Sequence, residues 1–237
     1  MTDLIHDLII NSADRLPDAQ ALSYQSLSMS YAKLATEIEL KANGLRAIGL
    51  SRSERIAVYL EKRLEAVVAL FAASRAGGVF VPINPLLKPE QIAYILIDCN
   101  VRILVTSYER LKLLQTVLPM CHDLHTVIVV DIKDDYPAIR NLLITLWETI
   151  DSDGSLHAPL TTIDSDMAAI LYTSGSTGKP KGVVFSHRNL VTGTKSVSQY
   201  LGNTSDDRIL TVLPLSFDYG LSQLTTAFYV GASNVLM

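Results

Sequence analysis

Residues 55–83, with the sequence RIAVYLEKRLEAVVALFAASRAGGVFVPI, contain one complete strand–helix–strand unit. The apolar runs at 55–60 and 79–83 predict two buried strands. Between them, residues 66–75 predict a helix that two glycines end. Because both strands are continuous apolar runs with little alternation, they favour a parallel sheet that is covered on both faces.

The alternation of strands and helices extends to both sides of this unit. Ser30 has the side chain of a helix N-cap, and Pro89 suits the first turn of a helix. The sequence therefore predicts an α/β fold of mostly parallel sheets flanked by helices. Outside residues 55–83, the predicted elements are a helix around Leu4 and Leu8, a strand at 21–25, a helix after Ser30, a helix opened by Pro89, a strand at 102–106, a helix at 109–118 and a strand at 126–130.

Residues 131–166 differ in composition from the rest of the chain. They contain eight acidic residues against only Lys133 and Arg140, together with two prolines and a glycine. Such a composition is typical of a solvated connection. We expect an exposed acidic connection over about 131–166, with one short helix around 141–149 and no chemistry of its own.

The overall composition excludes several classes of protein. Hydrophobic residues make up 49% of the 237 residues, which is too many for a disordered chain. With 20 Lys and Arg against 24 Asp and Glu, the formal charge is -4, so no basic surplus attracts nucleic acid. Two cysteines, Cys99 and Cys121, are too few for a disulfide scaffold and lack metal-ligand spacing, so we expect both in the core.

No segment has the pattern of a targeting or membrane-spanning sequence. Residues 1–18 carry His6 and several aspartates, and they lack the basic start and unbroken apolar core of a signal peptide. The best apolar run, 66–74, is closed by Arg75, well short of the roughly 18 uncharged residues of a membrane span. We therefore expect no membrane span, no nucleic-acid partner and a cytoplasmic protein.

Residues 168–190, AAILYTSGSTGKPKGVVFSHRNL, carry the chemistry. Apolar runs at 169–172 and 183–185 predict strands on either side of a segment dense in glycine, hydroxyl and lysine side chains. Glycines let backbone N–H groups turn toward an anion, hydroxyls add donors, and lysines add positive charge. This combination predicts a loop that holds a polyphosphate, with an ordinary surface hairpin as the alternative.

Two other phosphate-binding loops do not match this segment. A P-loop has four residues between its glycines and a Ser or Thr directly after its lysine. Here only two residues separate Gly175 from Gly178, and Pro180 follows Lys179. The G-x-G-x-x-G fingerprint of dinucleotide-binding folds is absent as well.

Residues 172–182, YTSGSTGKPKG, resemble the phosphate-loop signature of the AMP-forming adenylating enzymes. This superfamily includes acyl-CoA synthetases, amino-acid adenylation domains and luciferases. The match is continuous, so it is specific for the superfamily but not for the substrate. The resemblance covers nearly the whole chain except the acidic connection. The other segments that are similar to the N-terminal half of these enzymes are the helix start at Ser30-Tyr31, RIAVYL at 55–60, AGGVFVPIN at 76–84 and ILVTS at 103–107.

The resemblance implies an ATP-dependent ligase with a two-step reaction. A carboxylate attacks the α-phosphorus of ATP, which gives an acyl-adenylate and pyrophosphate. The thiol of CoA, or of a carrier protein's phosphopantetheine, then captures the acyl group. The implied cofactors are ATP and Mg²⁺, and the implied partners are a small carboxylic acid and an acyl or peptidyl carrier protein.

The resemblance also implies roles for individual residues. Lys181 would be the catalytic residue beside the leaving pyrophosphate, and Thr177 would be a candidate ligand of the metal ion. Phosphoryl chemistry depends mainly on such positioning and charge neutralisation. The residues that would bind the β- and γ-phosphates are Thr173, Ser174, Gly175, Ser176, Thr177, Gly178, Lys179 and Lys181.

Residues 212–237 would begin the acyl-binding pocket by the same resemblance. Phe217-Asp218 is similar to the Phe-Asp pair of amino-acid adenylation domains, in which the carboxylate meets the substrate's ammonium group. A carboxylate in a pocket suits a cation and penalises a bare fatty chain. Two alternatives stay open: Asp218 caps a helix that begins near Tyr219 or Gly220, or the Phe-Asp-Tyr-Gly run is that of an acyl ligase.

His187 and Arg188 follow the loop. Adenylation needs no catalytic base, because the attacking carboxylate is already ionised at neutral pH. We therefore predict that Ser186 caps a helix and that His187 lies in its first turn. Arg188 is predicted to be solvated or to assist on the phosphate side.

The superfamily's later motifs, which bind adenine and ribose and supply a lysine from a mobile C-terminal domain, do not occur in the sequence. We expect residues 1–237 to be the N-terminal portion of the AMP-binding large domain, inactive alone, with an open sheet edge at 235–237. The function predicted first is an acyl-CoA or acyl-carrier-protein ligase. The alternatives are an amino-acid adenylation domain and an incomplete nucleotide-binding or interaction module without turnover.

Overall fold

A computed structural model describes residues 4–131, 136–151, 161–174 and 179–237. In these residues the chain forms two sheets with helices between and around them. The helices are Asp7–Arg15 (α1), Tyr31–Ala47 (α2), Leu64–Arg75 (α3), Pro89–Asp98 (α4), Tyr108–Leu114 (α5), His187–Leu201 (α6) and Asp218–Val230 (α7), with 3₁₀ turns at Leu118–Met120 and Trp147–Ile150.

The larger sheet has seven strands within the described residues. Six of them are parallel, and the seventh is antiparallel to its neighbour and forms one edge. The predicted fold class, α/β with mostly parallel sheets flanked by helices, is therefore confirmed. In spatial order the strands are Leu143–Leu146 (β7), Thr126–Val129 (β6), Val101–Thr106 (β5), Arg55–Tyr59 (β3), Val79–Pro82 (β4), Met167–Thr173 (β8) and Lys181–Ser186 (β9).

The smaller sheet joins distant parts of the chain. Ser233–Leu236 (β11) lies between Arg208–Thr211 (β10) and Gln20–Tyr24 (β1) and is parallel to both. Leu27–Ser30 (β2), which the sequence did not predict as a strand, pairs antiparallel with β1. The expected open edge at 235–237 is wrong, because β11 is hydrogen-bonded to a strand on each side.

Helix α3 lies between the two sheets and is buried on all sides. Such burial explains why its sequence is apolar all round. Phe71 of α3 packs edge-to-face on Phe228 of α7, with 5.4 Å between the ring centroids. A second hydrophobic core lies on the other face of the larger sheet, under α4 and α5. None of the helices in the described part of the chain has both the length and the apolar character of a membrane span.

Several local signals in the sequence are confirmed. Ser30 is the N-cap of α2, and its Oγ accepts a hydrogen bond from the N–H of Lys33. Pro89 lies in the first turn of α4. Cys99 and Cys121 are buried with free thiols, as expected of core residues, and burial raises the pKa of each thiol to about 11.

The acidic connection contains a strand where the sequence predicts a helix. The helix expected around 141–149 is wrong, because Leu143–Leu146 pairs in parallel with β6 as strand β7 and a 3₁₀ turn follows it. A short apolar run suits a strand or a helix equally, so the pairing with β6 decides its structure. Residues 132–135 and 152–160 of the connection lie outside the described residues.

The described part of the connection is also less exposed than its composition predicts. Trp147 and Ile150 are buried. The ammonium group of Lys41, itself buried in α2, donates to the carbonyl of Trp147 and lies 2.6 Å from a carboxylate oxygen of Asp151. These contacts attach the 3₁₀ turn to the core, so this end of the connection is a packed segment.

Candidate functional site

The described residues of the predicted phosphate-binding set lie at the end of the β8–β9 hairpin where the glycine-rich segment connects the two strands. Thr173 is in register with Lys181, and Tyr172 with Gly182. The predicted residues at this end that the structure describes are all exposed: Thr173, Ser174, Lys179 and Lys181. The predicted residues that lie outside the described part of the chain are Gly175, Ser176, Thr177 and Gly178, and Thr177 was also the predicted metal ligand.

The sheet determines where this end of the hairpin lies. Residues 168–171 of β8 are buried, and β8 runs parallel to β4. The carboxyl ends of β3, β4 and β8 therefore meet at one edge of the sheet. Ligands of open α/β sheets bind outside this edge, and the chain leaves β8 there and returns through Lys181.

The two lysines of the segment are available to an anion. Within the described residues, the ion pairs are made by other cations, among them Arg52 with Asp166 at 2.7 Å. None of these described pairs includes Lys179 or Lys181. An exposed and unpaired ammonium group can form a charge-assisted hydrogen bond to phosphate, which is about twice as strong as a neutral one.

His187 is a structural residue at the start of α6, as predicted. Ser186 is the N-cap of this helix, and its Oγ accepts a hydrogen bond from the N–H of Asn189 at 3.1 Å. The ring of His187 is buried, and its Nδ1 accepts the N–H of Ile5 at 3.1 Å. Burial lowers the pKa of His187 to about 4, so the ring is neutral at physiological pH.

Arg188 does not assist on the phosphate side in this structure. Its guanidinium group makes two hydrogen bonds of 2.8 Å to the carboxylate of Asp164. The last two acidic residues of the connection are thus both paired with arginines, Asp164 with Arg188 and Asp166 with Arg52. Both pairs lie at the surface of the protein.

Asp218 lies in the first turn of α7, and Phe217 occupies the N-cap position. The alternative in which Asp218 caps a helix that begins near Tyr219 or Gly220 is therefore wrong. Phe217 is 44% exposed. Gly220 is required here, because a Cβ at this position would lie 2.1 Å from the carbonyl oxygen of Pro214.

Asp218 is exposed and borders a cavity of about 220 Å³ between α6 and α7. The cavity is mainly apolar, with a few hydroxyl and amide groups, and it is smaller than the roughly 300–1,000 Å³ of most ligand pockets. The sequence predicted Asp218 here but not its neighbours, because they lie on two helices that only the fold brings together. The lining residues are Phe185, Asn189, Leu190, Gly193, Thr194, Val197, Asp218, Leu221, Ser222 and Thr225.

Residues 212–237 also border a second cavity of about 300 Å³, near the carboxyl ends of β3 and β4. Lys62 lies at its wall and donates two hydrogen bonds, to the carbonyl oxygens of Thr211 and Val212. Burial lowers the pKa of Lys62. The segment predicted to begin the acyl pocket therefore borders two separate cavities.

Several known proteins are similar to this chain in sequence and fold. The chain is 30% identical to tyrocidine synthase 3 of Brevibacillus parabrevis over 236 residues, which are 98% of this chain and 3% of the synthase. The solved complex of VinN with 3-methylaspartate is 26% identical, with a TM-score of 0.82, over 99% of this chain and 61% of VinN. The anthranilate CoA ligase AuaEII in complex with anthranoyl-AMP is also 26% identical, with a TM-score of 0.87, over 100% of this chain and 45% of the ligase.

The family description for AMP-binding enzymes matches residues 10–237, which include every described element from the second half of α1 onward. This match covers far more of the chain than the glycine-rich segment that first suggested the resemblance. The chain therefore belongs to the AMP-binding enzyme family.

Proposed function

We propose that this chain provides the phosphate-binding loop and the beginning of the acyl pocket of an AMP-forming acid–thiol ligase. Such an enzyme activates a carboxylic acid as an acyl-adenylate with release of pyrophosphate. It then transfers the acyl group to the thiol of CoA or of a carrier protein's phosphopantetheine. The observation that carries the proposal is the exposed pair Thr173 and Lys181 at the carboxyl edge of a mostly parallel sheet.

The first step develops negative charge where Lys181 would lie. A carboxylate oxygen forms a bond to the α-phosphorus, the bond from that phosphorus to the bridging oxygen breaks, and pyrophosphate leaves with the electron pair. Lys181 would neutralise the charge on the leaving group, while Thr173, Ser174 and Lys179 would hold the other phosphate oxygens. No proton has to be removed from the carboxylate, which agrees with a neutral and buried His187.

A magnesium ion at this site would be held mainly by phosphate oxygens. The described residues contain no cluster of three or more His, Cys, Asp or Glu side chains that could hold a metal by themselves. Mg²⁺ often keeps waters and phosphate oxygens as most of its ligands, so such a cluster is not required. Bound there, Mg²⁺ would add charge neutralisation, with the hydroxyl of Thr177 as the proposed protein ligand.

A second candidate function is the activation of an acid that carries an amino group. It is favoured by the carboxylate of Asp218, which borders the cavity between α6 and α7. The ammonium group of a substrate would pair with this exposed carboxylate, whereas an uncharged acyl chain that displaced its water would offer it no partner. Relatives of both kinds support the two candidates: a peptide synthase and the aspartate-binding VinN on one side, and a CoA ligase on the other.

The exchange of labelled pyrophosphate into ATP by the complete enzyme that contains this chain, with a panel of fatty, aromatic and amino acids, tests the proposal. Exchange that depends on an unsubstituted acid supports the acyl ligase. Exchange with amino acids alone supports the second candidate. No exchange with any acid would contradict both and would leave a nucleotide-binding or interaction module without turnover.

A further inference from the structure

Helix α4 contacts the chain just before β9, the strand of the hairpin that carries Lys181. The hydroxyl of Tyr94 donates a hydrogen bond of 3.3 Å to the carbonyl oxygen of Pro180, the residue before Lys181. Tyr94 is half-buried, and α4 is packed on the outer face of the larger sheet through its buried Ile92 and Leu96. The donor is therefore held on a rigid element and not on a loop.

The same helix also contacts the other arm of the hairpin. The hydroxyl of Tyr172 in β8 donates a hydrogen bond of 2.6 Å to the carboxylate of Asp98, at the end of α4. Tyr94 and Asp98 are four residues apart, so they lie on the same face of the helix. One face of α4 thus contacts the hairpin on both sides of the glycine-rich segment, at Tyr172 before it and at Pro180 near its end.

Gly182 allows the ring of Tyr172 to make this contact. Gly182 is opposite Tyr172 in the hairpin, and a Cβ on Gly182 would lie 3.1 Å from Cζ of the ring. The ring therefore lies over the backbone of Gly182, and its hydroxyl extends to α4. Burial and the hydrogen bond with Asp98 raise the pKa of Tyr172, so its hydroxyl remains a donor at any pH of interest.

The position of Asp98 does not benefit the helix itself. It is the last residue of α4, where the helix dipole is unfavourable to a negative charge, and the last turn has no basic residue to offset it. A carboxylate at this position is explained by its contact with Tyr172, and its removal should leave α4 intact.

We propose that Tyr94 and Asp98 are positioning residues, through which α4 holds both arms of the β8–β9 hairpin and so fixes Lys181 relative to the sheet. This role rests on the proposed function, because Lys181 is held for the phosphates of ATP. Neither residue belongs to the set predicted to bind the phosphates. Removal of either should loosen the hairpin and weaken the use of ATP, with little effect on the acid.

Limited trypsin digestion tests whether Tyr94 and Asp98 anchor the hairpin to α4, and it does not require an assay of enzyme activity. Trypsin can cut after Lys181, whereas Lys179 is followed by Pro180 and forms a poor cleavage site. Tyr94→Phe and Asp98→Ala should each speed cleavage of the Lys181–Gly182 bond about two- to tenfold, the effect of one lost hydrogen bond. Asp98→Asn keeps a hydrogen-bond acceptor for Tyr172, so trypsin should cleave this variant at close to the wild-type rate. Tyr200→Phe, which alters an 88% exposed tyrosine of α6, is the matched control.

Pyrophosphate exchange in the same variants tests the positioning role. The KM for ATP should rise about two- to tenfold in Tyr94→Phe and Asp98→Ala, while the KM for the acid stays within about twofold. Wild-type cleavage rates in both variants would overturn the anchor, and faster cleavage with an unchanged KM for ATP would overturn the positioning role. If the complete wild-type enzyme that contains this chain shows no exchange, the proposed function fails, and the cleavage rates still decide whether α4 anchors the hairpin.

Discussion

Thr173 and Lys181 form the last registered pair of the β8–β9 hairpin, at the carboxyl edge of the larger sheet. The Cβ atoms of the two residues are thereby about 5 Å apart on adjacent strands, so a hydroxyl and an ammonium group are carried side by side. A positive charge held by two paired strands has less freedom to lose on binding an anion than one on an isolated loop. The hairpin therefore prepares part of a phosphate site before the ligand arrives.

Gly182→Ala should destabilise this hairpin. A Cβ at position 182 would lie 2.8 Å from Cγ2 of Ile170 and 3.1 Å from the ring of Tyr172, so one of them must move. The free energy of unfolding should fall by about 1–3 kcal/mol, the usual cost of overpacking. Urea unfolding measures this change.

Gly193→Ala is the matched control for Gly182→Ala. Gly193 lies in α6 and has open space beside it, since no atom lies within 4 Å of the position that an added Cβ would take. Alanine should stabilise this helix by up to about 1 kcal/mol. Equal stability of the Gly182→Ala variant and the wild-type protein would contradict the packing of Tyr172 over Gly182.

Asp218→Asn should act on substrates according to their charge. If the carboxylate pairs with an ammonium group, kcat/KM for amino acids should fall about 10- to 100-fold, the effect of a lost charge-assisted hydrogen bond. Unsubstituted acids should be unaffected or improved, because the cavity loses a charge that they cannot pair. Pyrophosphate exchange with matched acids, with and without the amino group, measures both effects.

Asp206→Asn is the control for Asp218→Asn, because Asp206 is exposed and lies outside the cavity between α6 and α7. It should leave both substrate classes unchanged. Equal effects of Asp218→Asn on both classes would remove the ammonium-binding role. A helix cap cannot explain such a result, because Phe217 holds the N-cap position.

Stability should fall as the pH falls below about 6.5, because two histidines are buried without charge. Burial lowers the pKa of His6 from 6.5 to about 3 and that of His187 from 6.5 to about 4. The unfolded chain binds these protons first, so the stabilisation is complete above pH 6.5 and is lost as the pH falls toward 4. At pH 5 each histidine should cost about 2 kcal/mol of the free energy of unfolding.

His187→Asn isolates this effect, because the asparagine oxygen can still accept the N–H of Ile5 and does not titrate. Urea unfolding at pH 5 and pH 8 should show a loss on acidification that is about 2 kcal/mol smaller than in the wild-type protein. His122→Gln, at an exposed position, should keep the wild-type difference. An unchanged pH dependence in His187→Asn would contradict a neutral, buried ring.

The sequence predicted those elements whose signals are local. The strand–helix–strand unit at 55–83, the N-cap Ser30 and the helix that Pro89 opens each depend on residues within a few positions of one another. Residues that must pair with a distant partner were predicted less well. Strand β7 was expected to be a helix, because its structure depends on pairing with β6. Strand β11 was expected at an open edge, because its pairing with the distant β1 was not visible in the sequence.

In the candidate site, too, the residues with a local sequence signal were predicted and those that only the fold brings together were not. The glycine, hydroxyl and lysine pattern at 172–182 identified Lys181 from the sequence alone. Tyr94 and Asp98 gave no signal, because they lie 86 and 74 residues from the hairpin residues that they contact. The lining of the cavity beside Asp218 was missed for the same reason, since α6 and α7 meet only in the fold.

Exchange of labelled pyrophosphate into ATP by the Lys181→Ala variant of the complete enzyme that contains this chain tests the central claim most directly. Acid-dependent exchange should fall about 100- to 1000-fold, because one donor to the developing charge is lost. Lys33→Ala, which removes an exposed ion pair with Glu37 on α2, should exchange at the wild-type rate. Wild-type exchange by Lys181→Ala would contradict the proposal that the β8–β9 hairpin holds the phosphates of ATP.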